Sequence, residues 1–152
     1  MAAPIRLSQE KSSSSRARWD ALSHFCAFAD IADLTPVQRT ACLAYWYSGL
    51  VLMGGHREYF FHSSYSRHSE IVTALRAIGA DEQAEILIRA DKAVKAAQDQ
   101  APEYCENRHI AAVENADLAG YDDAFECCPR SIQAALMDYL DRHEPEFIKY
   151  TP

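Results

Sequence analysis

The sequence lacks the clustered basic residues with which proteins bind nucleic acids directly. Its 152 residues include 15 Lys and Arg against 22 Asp and Glu, for a formal net charge of −7. The imbalance lies in the second half, because residues 76–152 hold 8 basic and 16 acidic residues. Nucleic-acid binding requires Lys and Arg to neutralise phosphates. The composition therefore predicts no direct nucleic-acid partner and favours a basic partner.

The sequence also lacks the cysteine pattern and the apolar segments of secreted and membrane proteins. Its five cysteines are an odd number without a CxxC pair, and no continuous apolar segment begins the chain. The longest apolar run, residues 41–53, is interrupted by Ser48 and Gly49 and is too short to cross a bilayer. We therefore expect a reduced, cytoplasmic protein that does not contact membranes.

Motifs that bind metals, phosphates or cofactors are absent as well. The sequence contains no HExxH, no GxSxG and no glycine-rich phosphate loop. It therefore predicts no cofactor, no metal and no catalytic residue, in a protein that is not an enzyme. An alternative is a small metal-binding protein or enzyme with a site at the turn between His56 and His68, which also includes Glu58 and His62.

The apolar residues follow a helical period. No segment shows convincing alternation of apolar and polar residues, so we expect an all-α fold of about six to eight helices. Residues 1–15 are predicted to form a flexible N-terminal tail, and residues 16–152 a single compact helical domain. The pattern predicts helices over residues 16–31, 36–53, 69–78, 81–98 and 102–109, a less regular stretch at 114–128, and a last helix between Pro129 and Pro145. Thr35 and Pro36 are typical first residues of the second helix, which we expect at the centre of the core.

A diglycine followed by three aromatic residues is the most distinctive motif of the chain. Two adjacent glycines permit a positive φ or a very close chain approach, and we expect them to end the central helix. The three aromatic rings are then predicted to enter the core, while Ser63 satisfies the following loop and Gly79 ends a later helix. The residues of this structural motif are Gly54, Gly55, Tyr59, Phe60, Phe61, Ser63 and Gly79.

Acidic residues are concentrated between positions 103 and 126, where Arg108 is the only Lys or Arg. Carboxylates one helical turn apart are separated by about 5–6 Å, a spacing comparable to that of phosphates along a DNA strand. We therefore predict a protein-binding acidic patch in this stretch. Its members are Glu103, Glu106, Glu114, Asp117, Asp122, Asp123 and Glu126.

Four parts of the sequence resemble the DNA-mimic-protein-19-like domain family. They are Tyr45-Trp46-Tyr47, residues 54–64, residues 74–80, and a C-terminal pattern of Tyr121, Leu136, Tyr139, Leu140, His143 and Phe147. The resemblance implies an all-α fold, no known catalytic activity and a protein-binding role. The family's namesake is an acidic dimer proposed to occupy the DNA-binding surface of a transcription factor. Where the family has Asn before the glycines, an aromatic residue after them and Asn before the serines, this chain has Met53, His56 and His62.

These observations lead to one main hypothesis and two alternatives. The main hypothesis is a non-enzymatic domain whose acidic face engages a basic protein, in particular a DNA-binding protein toward which it mimics DNA. The first alternative is the metal-binding protein or enzyme described above. The second is an immunity protein that neutralises a basic toxin. Whether the chain forms a homodimer stays open at this point.

Overall fold

The computed structural model describes residues 4–8, 14–103 and 106–151. This described part of the chain contains eight α-helices and a two-stranded sheet, which confirms the predicted all-α class. The helices are α1 Ser15–Phe28, α2 Pro36–Phe61, α3 His68–Ala77, α4 Asp81–Gln100, α5 Arg108–Asn115, α6 Ala119–Glu126, α7 Ile132–Arg142 and α8 Glu144–Phe147. The strands are β1 Ile5–Ser8 and β2 Ile148–Thr151, and 3₁₀ turns occupy Ile31–Asp33 and Ser63–Arg67.

Helix α2 is the centre of the core, as its sequence predicts. A reciprocal cap begins it, since the Thr35 side chain accepts from the Gln38 amide and the Gln38 side chain accepts from the Thr35 amide. Residues 41–44 are consecutive and all buried, so the helix packs on more than one face. It contacts α1, α3, α5, α6, α7 and α8. No helix of the described residues is long and apolar enough to span a membrane.

The diglycine divides α2 into two helical segments joined by a kink. Gly55 has a φ of 72°, which glycine adopts without the penalty of a Cβ, and the helix resumes at once after it. The predicted entry of the aromatic residues into the core is correct for Tyr59 and Phe60, which are buried. It is wrong for Phe61, whose side chain is 43% exposed because it points away from the core at the end of the helix.

Gly79 ends helix α3 in the way its position predicts. Its φ is 82°, and its amide donates to the Arg76 carbonyl while the Ala80 amide donates to the Leu75 carbonyl. This pair of hydrogen bonds satisfies carbonyls at the end of the helix and turns the chain toward α4. Ser63 is exposed and begins the 3₁₀ turn after α2, where its carbonyl accepts from the Ser66 hydroxyl.

The described residues of the expected N-terminal tail differ from the prediction at one point. Residues 5–8 form strand β1, which pairs in parallel with β2 from Ile5 opposite Ile148 to Ser8 opposite Thr151. Leu7 and Ile148 are buried, so the pairing adds apolar area to the core. Four residues are too few for period-two alternation to be recognised, and the partner strand lies at the other end of the chain. Residues 1–3 and 9–13 lie outside the described residues.

Two helix boundaries differ from prediction for local reasons. The helix predicted over 102–109 begins instead at Arg108, because the Asn107 side chain caps it by accepting from the Ile110 amide. The stretch predicted to be irregular contains α6. Helix α7 begins after Ser131, whose hydroxyl accepts from the Ala134 amide. These polar side chains, and not the nearby prolines, therefore set the helix starts.

The conformation of Gly55 leads to a stability prediction. A residue with a Cβ would have to adopt the positive φ of this position, and its Cβ would overlap the Asp122 carboxylate. We expect Gly55→Ala to lower the free energy of unfolding by about 1–3 kcal/mol. Gly49→Ala is the matched control, because a Cβ at this helical position meets nothing within 4 Å. It should raise stability by about 0.5–1 kcal/mol. Urea denaturation measures both changes. Equal effects of the two substitutions would show that position 55 does not require glycine.

Candidate functional site

Asp122, which was predicted as a member of the acidic patch, makes a structural contact at the kink of α2. Its Oδ1 accepts from the His56 amide at 2.8 Å and lies 2.6 Å from His56 Nδ1. The amide belongs to the first turn after the diglycine, where helix N–H groups have no intrahelical partner. A carboxylate there also complements the positive end of the helix dipole. Asp122 thus fixes α6 against the second segment of α2.

His56 connects this carboxylate to the core. The residue is fully buried, and its Nε2 lies 2.9 Å from the Tyr47 hydroxyl. Because a carboxylate only accepts, Nδ1 carries a proton and donates to Asp122, and the hydroxyl of Tyr47 donates to Nε2. Burial lowers the pKa of His56 more than the neighbouring Asp122 raises it. The imidazole is therefore neutral and has both nitrogens hydrogen-bonded.

A second buried polar network surrounds His68. Its Nδ1 lies 3.0 Å from the Tyr59 hydroxyl, and its Nε2 lies 3.6 Å from Oδ2 of the buried Asp91. Asp91 also accepts from the Tyr65 hydroxyl at 2.8 Å and pairs with Lys95 Nζ at 2.6 Å. These contacts join α2, the following 3₁₀ turn, α3 and α4. They stabilise the packing of four elements and leave His68 little access to a ligand.

The four residues of the alternative metal or enzyme site do not converge. His56 faces Asp122, and His68 faces Tyr59 and Asp91, whereas His62 is exposed and accepts from the Ser64 amide through Nδ1 at 3.1 Å. Glu58 lies beside Gly54. Among the described residues, no group of three His, Cys, Asp or Glu side chains is arranged to hold a metal. The turn between His56 and His68 is therefore built mainly from packing and internal hydrogen bonds.

The other six predicted acidic residues are exposed, and we call them the acidic surface. They are Glu103, Glu106, Glu114, Asp117, Asp123 and Glu126. Within the described ranges, none of them forms an ion pair with Lys, Arg or His. Asp117 accepts from the Ala119 amide at 3.3 Å, which leaves its charge uncompensated. The acidic surface therefore carries a negative charge that the described part of the chain does not neutralise.

Seven of the 15 carboxylates elsewhere in the described residues pair with Arg or Lys. Arg39 and Arg67, for example, both contact Glu70, and this lowers the pKa of the Glu70 carboxyl. Arg18 is shared by two carboxylates near the C-terminus. The paired acids are Asp20, Glu70, Glu85, Asp91, Asp138, Asp141 and Glu144. The contrast with the acidic surface is thus one of pairing and not only of composition.

Two arginines beside residues of the acidic stretch contact backbone carbonyls. Arg108 donates to the carbonyls of Gln98 at 2.9 Å and Ala101 at 3.2 Å, so its guanidinium closes the C-terminal end of α4. Arg57 Nη2 lies 3.5 Å from the Glu114 carbonyl oxygen. Both guanidiniums serve to position helices, and neither pairs with a carboxylate of the acidic surface.

The two helices that carry Glu114, Asp123 and Glu126 both contact the second segment of α2. His109, in the first turn of α5, has its Nε2 2.8 Å from the Phe60 carbonyl oxygen, and Glu114, in the last turn, lies beside Arg57. Helix α5 therefore lies along the second segment of α2. Helix α6 joins the same segment through Asp122 and His56. Asp123 and Glu126 lie three residues apart on α6, and both are exposed.

An apolar groove that the sequence did not reveal lies between α2 and the 3₁₀ turn that follows it. It has a volume of about 650 Å³, and its lining includes Trp46, Leu50, Met53, His62 and Arg67. Met53 is 77% exposed, although the apolar run in which it lies was predicted to be buried. Leu52 is 72% exposed as well, so the apolar run ends in two exposed residues just before the diglycine kink.

The role of Asp122 can be tested against its neighbour in the sequence. Asp122→Ala removes the acceptor of two His56 N–H groups, and a buried donor without a partner costs about 1–3 kcal/mol. Asp123→Ala removes an exposed carboxylate without an ion-pair partner among the described residues and should change stability by no more than about 0.5 kcal/mol. Urea denaturation at neutral pH compares the two variants. Equal losses would show that Asp122 does not have this structural role.

The buried histidines predict a dependence of stability on pH. Burial lowers the pKa of both His56 and His68 in the folded protein. The unfolded chain therefore binds protons below a pH of about 6.5 that the folded protein does not bind. Stability should be complete above that pH and fall as the pH decreases from it.

Denaturation at several pH values measures this effect. His56→Asn retains a donor toward Asp122 but removes the titrating ring, so the loss of stability between pH of about 7.5 and 5.5 should become smaller. His24→Asn, at an exposed position, is the control and should retain the pH dependence of the unsubstituted protein. An unchanged pH dependence in His56→Asn would argue against a buried neutral imidazole.

Comparison with known proteins identifies the family. A family model described as DMP19-like protein matches residues 32–143, which include the diglycine kink, the buried histidines and the whole acidic surface. Searches of curated proteins and of solved structures gave no match. Since the family model covers well over half of the chain, this protein belongs to the DMP19-like family.

Proposed function

We propose that this protein is a non-enzymatic protein-binding domain whose acidic surface engages a basic surface of a DNA-binding protein. The observation that carries the proposal is the difference in pairing. The six acids of the acidic surface are exposed and without ion-pair partners among the described residues, whereas seven of the 15 other described acids pair with Arg or Lys. A partner that brings Lys and Arg would supply the missing countercharges.

The arrangement of the acids supports mimicry of DNA in this complex. Asp123 and Glu126 are one helical turn apart on α6, a separation of about 5–6 Å between neighbouring side chains. Arg108, the only Lys or Arg in the acidic stretch, is engaged by carbonyls of α4. Charge clustered without interspersed cations is what a protein needs to approach the charge density of DNA. The family membership favours the same function.

The polar contacts of the histidines support the non-enzymatic part of the proposal. His56 and His68 are committed to internal hydrogen bonds with Asp122, Tyr59 and Asp91, so they are not available to a substrate. An immunity protein against a basic toxin would use the same acidic surface. The two functions differ in one respect. A toxin that does not bind DNA would not be displaced from the acidic surface by DNA, whereas a DNA-binding protein would.

Charge reversal on the acidic surface tests the proposal. The triple variant Glu114→Lys, Asp123→Lys, Glu126→Lys should lose proteins that the unsubstituted domain binds from a lysate of its source organism at about 50 mM salt. These proteins should dissociate at about 200 mM salt, because the contact is electrostatic. Mass spectrometry should identify DNA-binding proteins among them, and added duplex DNA should displace them.

A matched control reverses three paired acids, Asp20→Lys, Glu85→Lys and Asp138→Lys, and so introduces the same change in net charge. This control should retain the bound proteins. Loss of binding in both triple variants would mean that net charge and not the acidic surface is responsible. Retention in both would remove the proposal, and displacement by salt but not by DNA would favour the toxin as partner.

A further inference from the structure

Two cysteines of different helices meet in the core. Cys26, in the last turn of α1, and Cys42, in the first half of α2, have their Sγ atoms 2.9 Å apart. Both residues are completely buried, and both are free thiols. Neither belongs to the acidic surface or to the two histidine networks. The proposed function therefore does not account for this pair of adjacent thiols.

Neighbouring contacts between α1 and α2 keep the two thiols close together. The indole Nε1 of Trp46, one turn after Cys42, donates to the Cys26 carbonyl at 2.8 Å. Trp19 and Tyr45 form a second aromatic contact between α1 and α2, with ring centroids 6.0 Å apart. These contacts hold α1 against α2 with the two thiols facing each other.

We propose that Cys26 and Cys42 are a disulfide-forming site that links α1 to α2 when the chain meets a disulfide oxidant such as oxidised glutathione. The thiolate of one cysteine attacks a sulfur of the oxidant, and the oxidant's S–S bond breaks to release one reduced glutathione. The second cysteine then attacks the protein sulfur of the mixed disulfide and releases the other glutathione. The protein loses two electrons and two protons, and the oxidant gains them.

Burial determines when this bond forms. The hydrogen bond with Cys42 and burial raise the pKa of the Cys26 thiol, so little Cys26 thiolate exists in the folded protein. The bond therefore forms while α1 is undocked, during folding or local opening. After α1 docks, the disulfide is shielded from reductants as well. The disulfide would thus be a long-lived link between α1 and α2 and not one that is rapidly formed and reduced.

The experiment is oxidative refolding followed by mapping of the linkage. The reduced, denatured protein is refolded in a mixture of oxidised and reduced glutathione, and free thiols are blocked with iodoacetamide under denaturing conditions. Mass spectrometry of the digest should show a peptide linked through Cys26 and Cys42. The oxidised protein should also have a higher melting temperature than the reduced protein, because the link constrains the unfolded chain.

Variants separate this pair from the other thiols. Cys42→Ala and Cys26→Ala should each abolish the linked peptide and the rise in melting temperature on oxidation. The double variant Cys127→Ala, Cys128→Ala should retain both effects, since these neighbouring thiols lie outside the pair. Alkylation of both Cys26 and Cys42 in the refolded unsubstituted protein, or a link from either one to a different cysteine, would overturn the proposal without reference to any variant.

Discussion

The hydrogen bonds between Asp122 and His56 are the interaction on which the arrangement of the domain depends. They form only because Gly55 lets the chain turn with a positive φ and leaves room for the carboxylate. They bring α6 against α2, and the bond from His56 to Tyr47 continues the connection into the core. The position of α6 in turn determines where Asp123 and Glu126 face the solvent. A structural contact inside the protein thus places part of the surface proposed to bind a partner.

Local features of the fold could be predicted from the sequence, because their causes lie within a few residues. Thr35 begins α2, Gly79 ends α3, and the diglycine breaks α2, each through backbone geometry or a short-range hydrogen bond. Contacts between distant residues could not be predicted in this way. Asp122 lies 66 residues from His56, and nothing in its own segment distinguishes it from the exposed Asp123. The pairing of β1 with β2 joins opposite ends of the chain, so it leaves no local signal either.

The distribution of charge gives the acidic composition a more specific meaning. A net charge of −7 is compatible with ordinary solubility. The structure shows that many acids of the described residues are neutralised locally, as Glu70 is by Arg39 and Arg67. The acidic surface is different, since Arg108 points its guanidinium at carbonyls of α4. Because a surface whose acids are not paired with cations attracts a basic partner more strongly than one whose charges are neutralised locally, this feature favours binding over solubility as its role.

The most direct measurement is carboxyl-group footprinting of the domain in complex with a DNA-binding protein that it captures. Labelling with a carbodiimide and an amine reports the accessibility of each Asp and Glu. The account predicts that Glu114, Asp117, Asp123 and Glu126 become protected in the complex, that duplex DNA restores their labelling, and that Glu85 and Asp138 are labelled equally with and without the partner. Protection of Glu85 and Asp138 with unchanged labelling of the acidic surface would contradict it.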